Sequence, residues 1–527
     1  MKRHLQKVHV KDKMEDSKER TPLLKKEDME PFWRKVSCYS MYALVVFLVT
    51  YLLNQLDRYM LAITSKSMAQ EIHYGDQACM TNSSFTDDEL KGVNCNATVM
   101  TSCHNITNKA GNFVCEWNYN GQGLEYQIVA GPVFILIYTF AGIFIGFLAD
   151  RYNRKILLAS CLIFWSAMTL LTGFVKEYWQ LVILRFGLGF GEAGCTPFVA
   201  SMIGDIFPAE LRGTTLGIYN WGIYMGYSMS YAIGNFITVA NINGQGWRWT
   251  FIISGIPGIV IGLLIFFTIK EPERKKADSG TDDKIDANVQ QIEKAKRRWD
   301  TLKAFIQPSL LLACLAGSVR NAAGYVFAYN TQLYFNDIGQ TKEDIGKFMS
   351  WIPIVGGSLG VLFGGFISDR VVKSRGVYAR VAVIIASLVV AAPFAAGTLF
   401  FNPPWAYICQ IPSYLFGEMW ISITLALVIE LVPSHIRTST IAAYLFIISN
   451  IGGNMPLLVP PINDAFIKAG YAKADALRGA LYILYPGLYI LGAVMFIPSM
   501  FVLKRDQARA KMNDYYQMNE STESVKT

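Results

Sequence analysis

Apolar runs of about twenty residues or more recur along the chain, at about 38–63, 127–149, 155–175, 178–207, 212–236, 248–269, 305–335, 343–368, 377–400, 404–432, 436–458 and 480–503. Each is long enough for a helix to cross a hydrocarbon core ~30 Å thick. The pattern predicts an all-α polytopic membrane protein with twelve transmembrane helices. The polar stretches divide it into a tail (1–37), a six-helix half (38–269), a linker (270–304), a second six-helix half (305–505) and a second tail (506–527). Residues 1–36 carry mixed charge without an apolar period, which predicts a disordered tail. No apolar core follows the first cations, so the first helix is expected to serve for targeting.

Loop charge gives the expected sidedness. Eleven Lys and Arg precede the first apolar run, whereas the long insertion after it, residues 65–125, has three. Short cytoplasmic segments keep the excess of cations, which puts the amino terminus inside. An even helix count returns the carboxyl tail to the cytoplasm as well, consistent with Lys504 and Arg505 just after the last run.

Composition agrees with a bilayer protein: 52% of the 527 residues are hydrophobic and only 17% charged, too apolar for an ordinary soluble chain of this size. The formal net charge of +8 sits in loops and tails beside apolar runs. It marks topology, and no nucleic-acid partner is expected.

The insertion at 65–125 has a different chemistry from the rest. It gathers Cys79, Cys95, Cys103 and Cys115 with three glycosylation sequons at Asn82, Asn96 and Asn105. Such a loop fits an oxidising lumen or cell exterior, where two disulfides form with any of three pairings. In the amino-terminal tail, Glu19 followed by Leu23 and Leu24 resembles the acidic dileucine signals that clathrin adaptors read when they sort membrane proteins to endosomes and lysosomes.

Two internal echoes relate the halves. Gly146 to Lys155, GFLADRYNRK, is answered by Gly365 to Arg375, GFISDRVVKSR, with Asp150 and Asp369 separated by 219 residues. Gly191-Glu192 and Arg212 are answered by Gly417-Glu418 and Arg437, at separations of 226 and 225. A six-plus-six duplication of parallel halves places a transport site between them, near mid-membrane.

These residues resemble the major facilitator superfamily over about 38–505, GFLADRYNRK being similar to its signature between helices 2 and 3. Within it the sequence most resembles the spinster family, through Asn54-Gln-Leu-Asp57-Arg58-Tyr59, the helix 4 stretch from Arg185 to Glu192, and the helix 6 stretch from Gly246 to Gly258 ending in Glu271-Pro272. The run from Glu192 to Pro197 is also compatible with the organic-anion branch that includes sialin, and the cysteine-rich loop departs from the spinster pattern. The spinster resemblance implies proton-coupled movement of a lysophospholipid or sphingoid lipid, out of the lysosome or across the plasma membrane. The sialin-like alternative implies a small organic anion.

Ionisable residues within spans are expensive and mark candidate sites. Glu192 and Glu418 fall near the middles of helices 4 and 10, Arg320 near the middle of helix 7, Asp57 and Arg58 in the outer part of helix 1, and Arg185 two turns outward from Glu192. Two readings stand. Either Glu192 exchanges a proton when an anionic headgroup occupies Arg58, or these charges form a fixed structural network. For Gly146, Asp150, Arg151, Arg154, Lys155, Asp369 and Arg370 the expectation is a cytoplasmic latch closing the outward-facing state. Glycines of helix 5 read as packing points, and its tyrosines as cavity lining or packing.

The five histidines are scattered, so no metal site is expected. No phosphate-cradling glycine loop is present, and no cofactor or direct ATP drive is expected. No nucleophile and base stand at useful spacing, so the expectation is a transporter and not an enzyme. Its partners are the lipid bilayer, an amphiphilic or small anionic substrate, and protons. A non-transporting receptor built around the cysteine-rich loop is the reading from a different class.

Overall fold

The computed structural model describes residues 36–82, 93, 95, 97, 99–208, 212–272, 307–432, 437–503 and 505. Glu19, Leu23, Leu24 and Asn96 lie outside the described residues, as does most of the linker. In the first half, α1 (Cys38–Ile72) leads to a hairpin of β1 (Gln77–Thr81) and β2 (Cys115–Tyr119), with the short helix α2 (Met100–His104) between the strands. There follow α3 (Leu124–Ala130), α4 (Pro132–Arg151), α5 (Arg154–Thr172), α6 (Tyr178–Glu192), α7 (Cys195–Ile206), α8 (Arg212–Ala240) and α9 (Gly246–Thr268). The second half has α10 (Pro308–Asp337), α11 (Lys342–Met349), α12 (Ile352–Arg375), α13 (Tyr378–Phe400), α14 (Trp405–Gly417), α15 (Met419–Leu431), α16 (Arg437–Asn454), α17 (Val459–Lys468), α18 (Lys473–Leu484) and a last helix α19 over 486–503.

Among the described residues, ten helical segments are long and apolar enough to cross a membrane. Their outward faces carry large apolar side chains, Phe144, Phe267, Phe366 and Phe400 each being more than 60% exposed. A surface of that kind is stable only against lipid. Most of the expected spans are recovered, but several are made of two helices. Pro456 falls in the 3₁₀ turn between α16 and α17, and Pro486 follows Tyr485 between α18 and α19. The breaks between α6 and α7 and between α14 and α15 come at Ala193-Gly194 and at Glu418, the corresponding places in the two halves. Discontinuous helices free backbone groups at mid-membrane, where only a cavity or a neighbouring chain can satisfy them.

The first helix differs from expectation. It runs nine residues past Ile63 to Ile72, because Met68, Ala69 and Ile72 keep a buried stripe at helical spacing among polar neighbours. It ends at His73, in the left-handed conformation (φ 55°). The hairpin beyond it pairs antiparallel, Cys79 opposite Trp117 and Thr81 opposite Cys115. Of the three possible disulfide pairings the structure adopts Cys79–Cys103 and Cys95–Cys115, with Cα separations of 5.5 and 5.7 Å. Asn105 is exposed and Asn82 half-buried on this lobe.

The hairpin marks one end of the bundle, called here the loop end; the opposite end, from which the chain enters α1, is the tail end. The halves meet along an apolar seam in which Ile63, Tyr227 and Tyr231 of the first half pack with Val326, Phe327, Tyr334, Ile345 and Met349 of the second. Polar bonds reinforce it: Asn235 and Gln332 exchange amide hydrogen bonds at 3.1 and 2.9 Å, and Gln127 donates to Asn330 at 2.9 Å. The Tyr126 hydroxyl donates to the Tyr329 carbonyl, Gln122 to the Asp337 carboxylate, and Lys342 to the Ser67 hydroxyl. Mid-helix, Thr139 bonds Asn450 at 3.0 Å and Phe140 meets Phe446 edge-on. These bridges run from the loop end to the middle of the bundle.

Candidate functional site

Where α1 crosses α4 and α6 at the middle of the first half, two side chains of opposite charge are sealed together. Arg58 donates from Nη2 at 3.0 Å and from Nε at 3.2 Å, both to Oε2 of Glu192. Glu192 is fully buried, and its other oxygen, Oε1, has no hydrogen-bond partner. The Arg58 guanidinium lies over the rings of Phe134 and Tyr138, 4.9 and 4.6 Å from their centroids. Aromatic faces attract a desolvated cation and hold its plane. The arrangement therefore positions Arg58 rigidly, while leaving one Glu192 oxygen able to take a proton or a donor.

The other expected members of this cluster are arranged differently. Arg185 does not pair with Glu192. It donates from Nη2 to the carbonyl oxygen of Arg58 at 3.1 Å and also faces Phe134, so it holds the backbone of α1 in place. Asp57 is buried with neither carboxylate oxygen hydrogen-bonded. It points away from the Arg58–Glu192 pair toward Trp165 and Thr169 of α5, and its charge is felt by Glu192 and Arg185.

The second half repeats the motif with changes. Arg320 donates to the Gly417 carbonyl at 2.6 and 3.1 Å and to Glu418 Oε1 at 3.0 Å, and stacks over Tyr489 at 4.4 Å. The carbonyl is available because α14 stops at Gly417, so the helix break itself supplies an acceptor. Glu418 is less sealed than Glu192, its side chain being 14% exposed against zero. Tyrosines pack between the two pairs. Tyr51 stacks on Tyr219 at 4.4 Å, Tyr59 meets Tyr227 at 4.7 Å and Tyr329 at 5.8 Å, and Tyr224 packs against Gly357 across the seam. Of the α8 aromatics Tyr219, Trp221, Tyr224, Tyr227 and Tyr231, Trp221 alone is exposed.

At the tail end Arg154 is bound within its own half. It reaches Asp205 at 2.6 Å, Ser201 at 2.7 Å, Glu271 at 2.8 Å and the Pro272 carbonyl at 3.2 Å, while Glu271 also accepts from the Lys155 amide at 2.8 Å. The Lys155 ammonium lies over Phe266. Asp369 pairs with Arg380 at 2.8 Å, and Arg380 takes Glu430 with both arms at 2.6 and 2.9 Å; Arg370 is exposed. Gly146, Asp150 and Arg151 occupy the last turns of α4, and their side chains lie outside the described residues. So Arg154 and Asp369 tie helices together inside each half.

Sequence reasoning missed Asp205, Arg380 and Glu430, and gave no role to Glu271. The signal was present: Arg380 stands 226 residues after Arg154, and Glu430 stands 225 after Asp205, the separations already found for the glutamates. The stacking partners Phe134 and Tyr138 left no signal, since aromatic residues in an apolar run are ordinary packing.

Comparison with known proteins agrees with this geometry. The model of the Major Facilitator Superfamily matches residues 47–455. Protein spinster homolog 1 of Xenopus laevis is 27% identical over 407 residues, 72% of this chain and 74% of that protein. The sphingosine-1-phosphate transporter SPNS2 of Danio rerio is 36% identical over 148 residues, 28% of this chain and 29% of its own. The crystal structure of a bacterial homolog to the human lysosomal transporter spinster, in an inward-facing and unoccupied conformation, superposes with a TM-score of 0.68 at 19% identity. It covers 89% of this chain and 98% of its own. A duplicated helical bundle with a charged pair buried at the middle of each half, matched by the family model over most of its length, belongs to the Major Facilitator Superfamily, and it is similar to the spinster proteins within it.

Proposed function

We propose that this chain moves a lysophospholipid or a sphingoid lipid across its membrane by alternating access, with a proton carried through the Arg58–Glu192 pair. Twelve crossings place both termini in the cytoplasm and the disulfide-linked lobe in the lumen or outside. The seam bonds then lie on the lumenal or outer side, and the site opens toward the cytoplasm. The latch residues of the GFLADRYNRK motif act in the opposite, outward-facing state.

One observation carries the reading. Glu192 spends a single oxygen on Arg58 and leaves Oε1 buried without a partner, although an unsatisfied buried acceptor costs roughly 1–3 kcal/mol. A phosphate or carboxylate headgroup competing for Arg58 would release Glu192, and a desolvated carboxylate without its cation takes up a proton. When the halves part, the tyrosines between Arg58 and Arg320 would supply apolar faces for a chain and hydroxyls for a headgroup. The spinster relatives support a lysosomal membrane and the sphingosine-1-phosphate transporter a lipid substrate.

The test is uptake into liposomes under an imposed pH gradient, comparing labelled lysophospholipids and sphingoid lipids with a panel of small organic anions, for wild type and Glu192→Gln. The expected result is proton-dependent lipid movement that loses its proton dependence in the variant. Anion transport without lipid transport would move the protein to the sialin-like branch. Full proton-dependent transport by a well-folded Glu192→Gln would remove the coupling role.

A further inference from the structure

The lobe between α1 and α3 is held by covalent bonds more than by a core. Its buried cluster is Cys79, Cys103, Val114 and Cys115, and its sheet has two strands of five residues. A lone two-stranded hairpin is marginal in water, and a core of that size needs staples. Cys79–Cys103 and Cys95–Cys115 supply them. The two bridges interlace, Cys95 lying inside the segment closed by the first and Cys103 inside the segment closed by the second. Both strands are thereby tethered to the chain between them.

At its base the lobe joins the seam. Beyond the pair of Gln77 and Tyr119 the ladder continues through Asp76, whose amide donates to the Gln122 carbonyl at 3.0 Å and whose carbonyl accepts from the Asn120 amide at 2.9 Å. The Asn120 side chain accepts from the Gln122 amide at 2.7 Å. This turn lies directly on α1. Ser65 donates to the Gly121 carbonyl at 2.7 Å, and at Gly121, where φ is +73°, a Cβ would stand 2.6 Å from the Lys66 backbone. From that footing Gln122 donates to the Asp337 carboxylate of α10. One turn further on, Tyr126 donates to the Tyr329 carbonyl and Gln127 to Asn330, again on α10. Three bonds between the halves thus come from residues 122–127, and the first of them hangs on the end of the disulfide-linked ladder.

We propose that the lobe is a strap that holds the loop end shut. The bridges keep the hairpin ordered whether the halves are together or apart, so Gln122 is already shaped for α10 when they meet, and closing costs little chain entropy. Without the bridges the ordering of this turn falls on the closing step, and the closed population drops. On opening, the strap stays docked on α1 and releases α10, because the contact of Ser65 with Gly121 lies within one half. The strap concerns neither which substrate moves nor the proton step at Glu192.

The experiment reads the loop end by spin labels at Lys176→Cys and Asn402→Cys, one on each half, in the purified full chain with its five free cysteines changed to serine. Gln122→Ala leaves both bridges in place and removes the bond to Asp337. It is expected to raise the ratio of the longer to the shorter distance roughly tenfold or more, the usual size for a bond to a charged acceptor. Cys79→Ser/Cys103→Ser and Cys95→Ser/Cys115→Ser should each shift the ratio in the same direction. Adding Gln122→Ala to either should change it less than the same substitution changes wild type, because lobe and bond act through one contact. A wild-type distribution in Gln122→Ala overturns the proposal, even where the cysteine variants fail to fold. It is equally overturned if a cysteine-pair variant folds and keeps the wild-type distribution, or if the two kinds of change add in full.

Discussion

At the residue scale, the Arg58–Glu192 pair poses a choice between structure and function that one double substitution decides. Removing one partner of a buried pair strands a charge and costs about 3–5 kcal/mol, whereas replacing both by apolar groups of similar volume is often neutral. Arg58→Met and Glu192→Leu alone are therefore each expected to lower the thermal midpoint in detergent strongly. The double variant Arg58→Met/Glu192→Leu should recover most of that loss, because Phe134 and Tyr138 pack against a methionine as well as against a guanidinium stem. If the pair performs transport chemistry, the recovered double variant stays inactive in liposomes. Transport returning together with stability would make the pair a structural strut. Arg58→Lys gives the finer test. A lysine keeps the charge but loses the flat stacking and the two donors aimed at Oε2.

At the element scale, the first half is organised by how closely α8 lies on α1. At Gly226 an added Cβ would stand 2.3 Å from the Leu52 carbonyl oxygen and 2.7 Å from Gln55, and at Gly222 it would stand 3.0 Å from the Leu52 amide. The Leu52 contacts are with backbone and the Gln55 contact is with its Cβ, so no rotamer change relieves them. Small residues permit such approaches where lipid offers no hydrophobic drive for helix association. Gly226→Val is expected to yield little folded protein, read by gel filtration in detergent. Gly217→Val, at a glycine with open space around it, should fold as wild type does. Equal yields from both would show that the α1–α8 contact tolerates separation.

Much at this scale was legible beforehand. Spans, halves and the glutamate echo follow from periodicity, because a bilayer imposes one length and one polarity on every crossing. What was hidden depended on three-dimensional partners. The disulfide pairing needed the strand register, the continuation of α1 to Ile72 needed the burial of Met68 and Ala69, and the orientation of Asp57 away from its neighbour Arg58 needed the packing of α5. Arg380 and Glu430 were readable by offset, yet each also sits among charges that could equally have marked topology.

At the scale of the whole molecule, the question is what holds the loop end shut. The apolar part of the seam resists exposure to water when the loop end opens, and beside it Asn235 and Gln332 are fully buried and satisfy each other reciprocally. Truncating Asn235 leaves the Gln332 carbonyl oxygen without its donor and its Nε2 with only the long bond to Asn336 at 3.4 Å, in a dry seam. The orphan costs about 1–3 kcal/mol, and the cost disappears once the loop end opens and water solvates it. Asn235→Ala is thus expected to shift the closed-to-open ratio by roughly 5- to 150-fold toward opening at the loop end. With spin labels at Lys176→Cys and Asn402→Cys, exposed loop-end positions on the two halves, the shift appears as a longer-distance population. Asn235→Ala/Gln332→Ala, which removes both amides, should shift it less than the single variant does. An undisturbed distance in Asn235→Ala would place the closing energy in the apolar contacts of Ile63, Tyr227 and Tyr231 with α10 and α11. The polar bonds would then set only the register in which the halves meet.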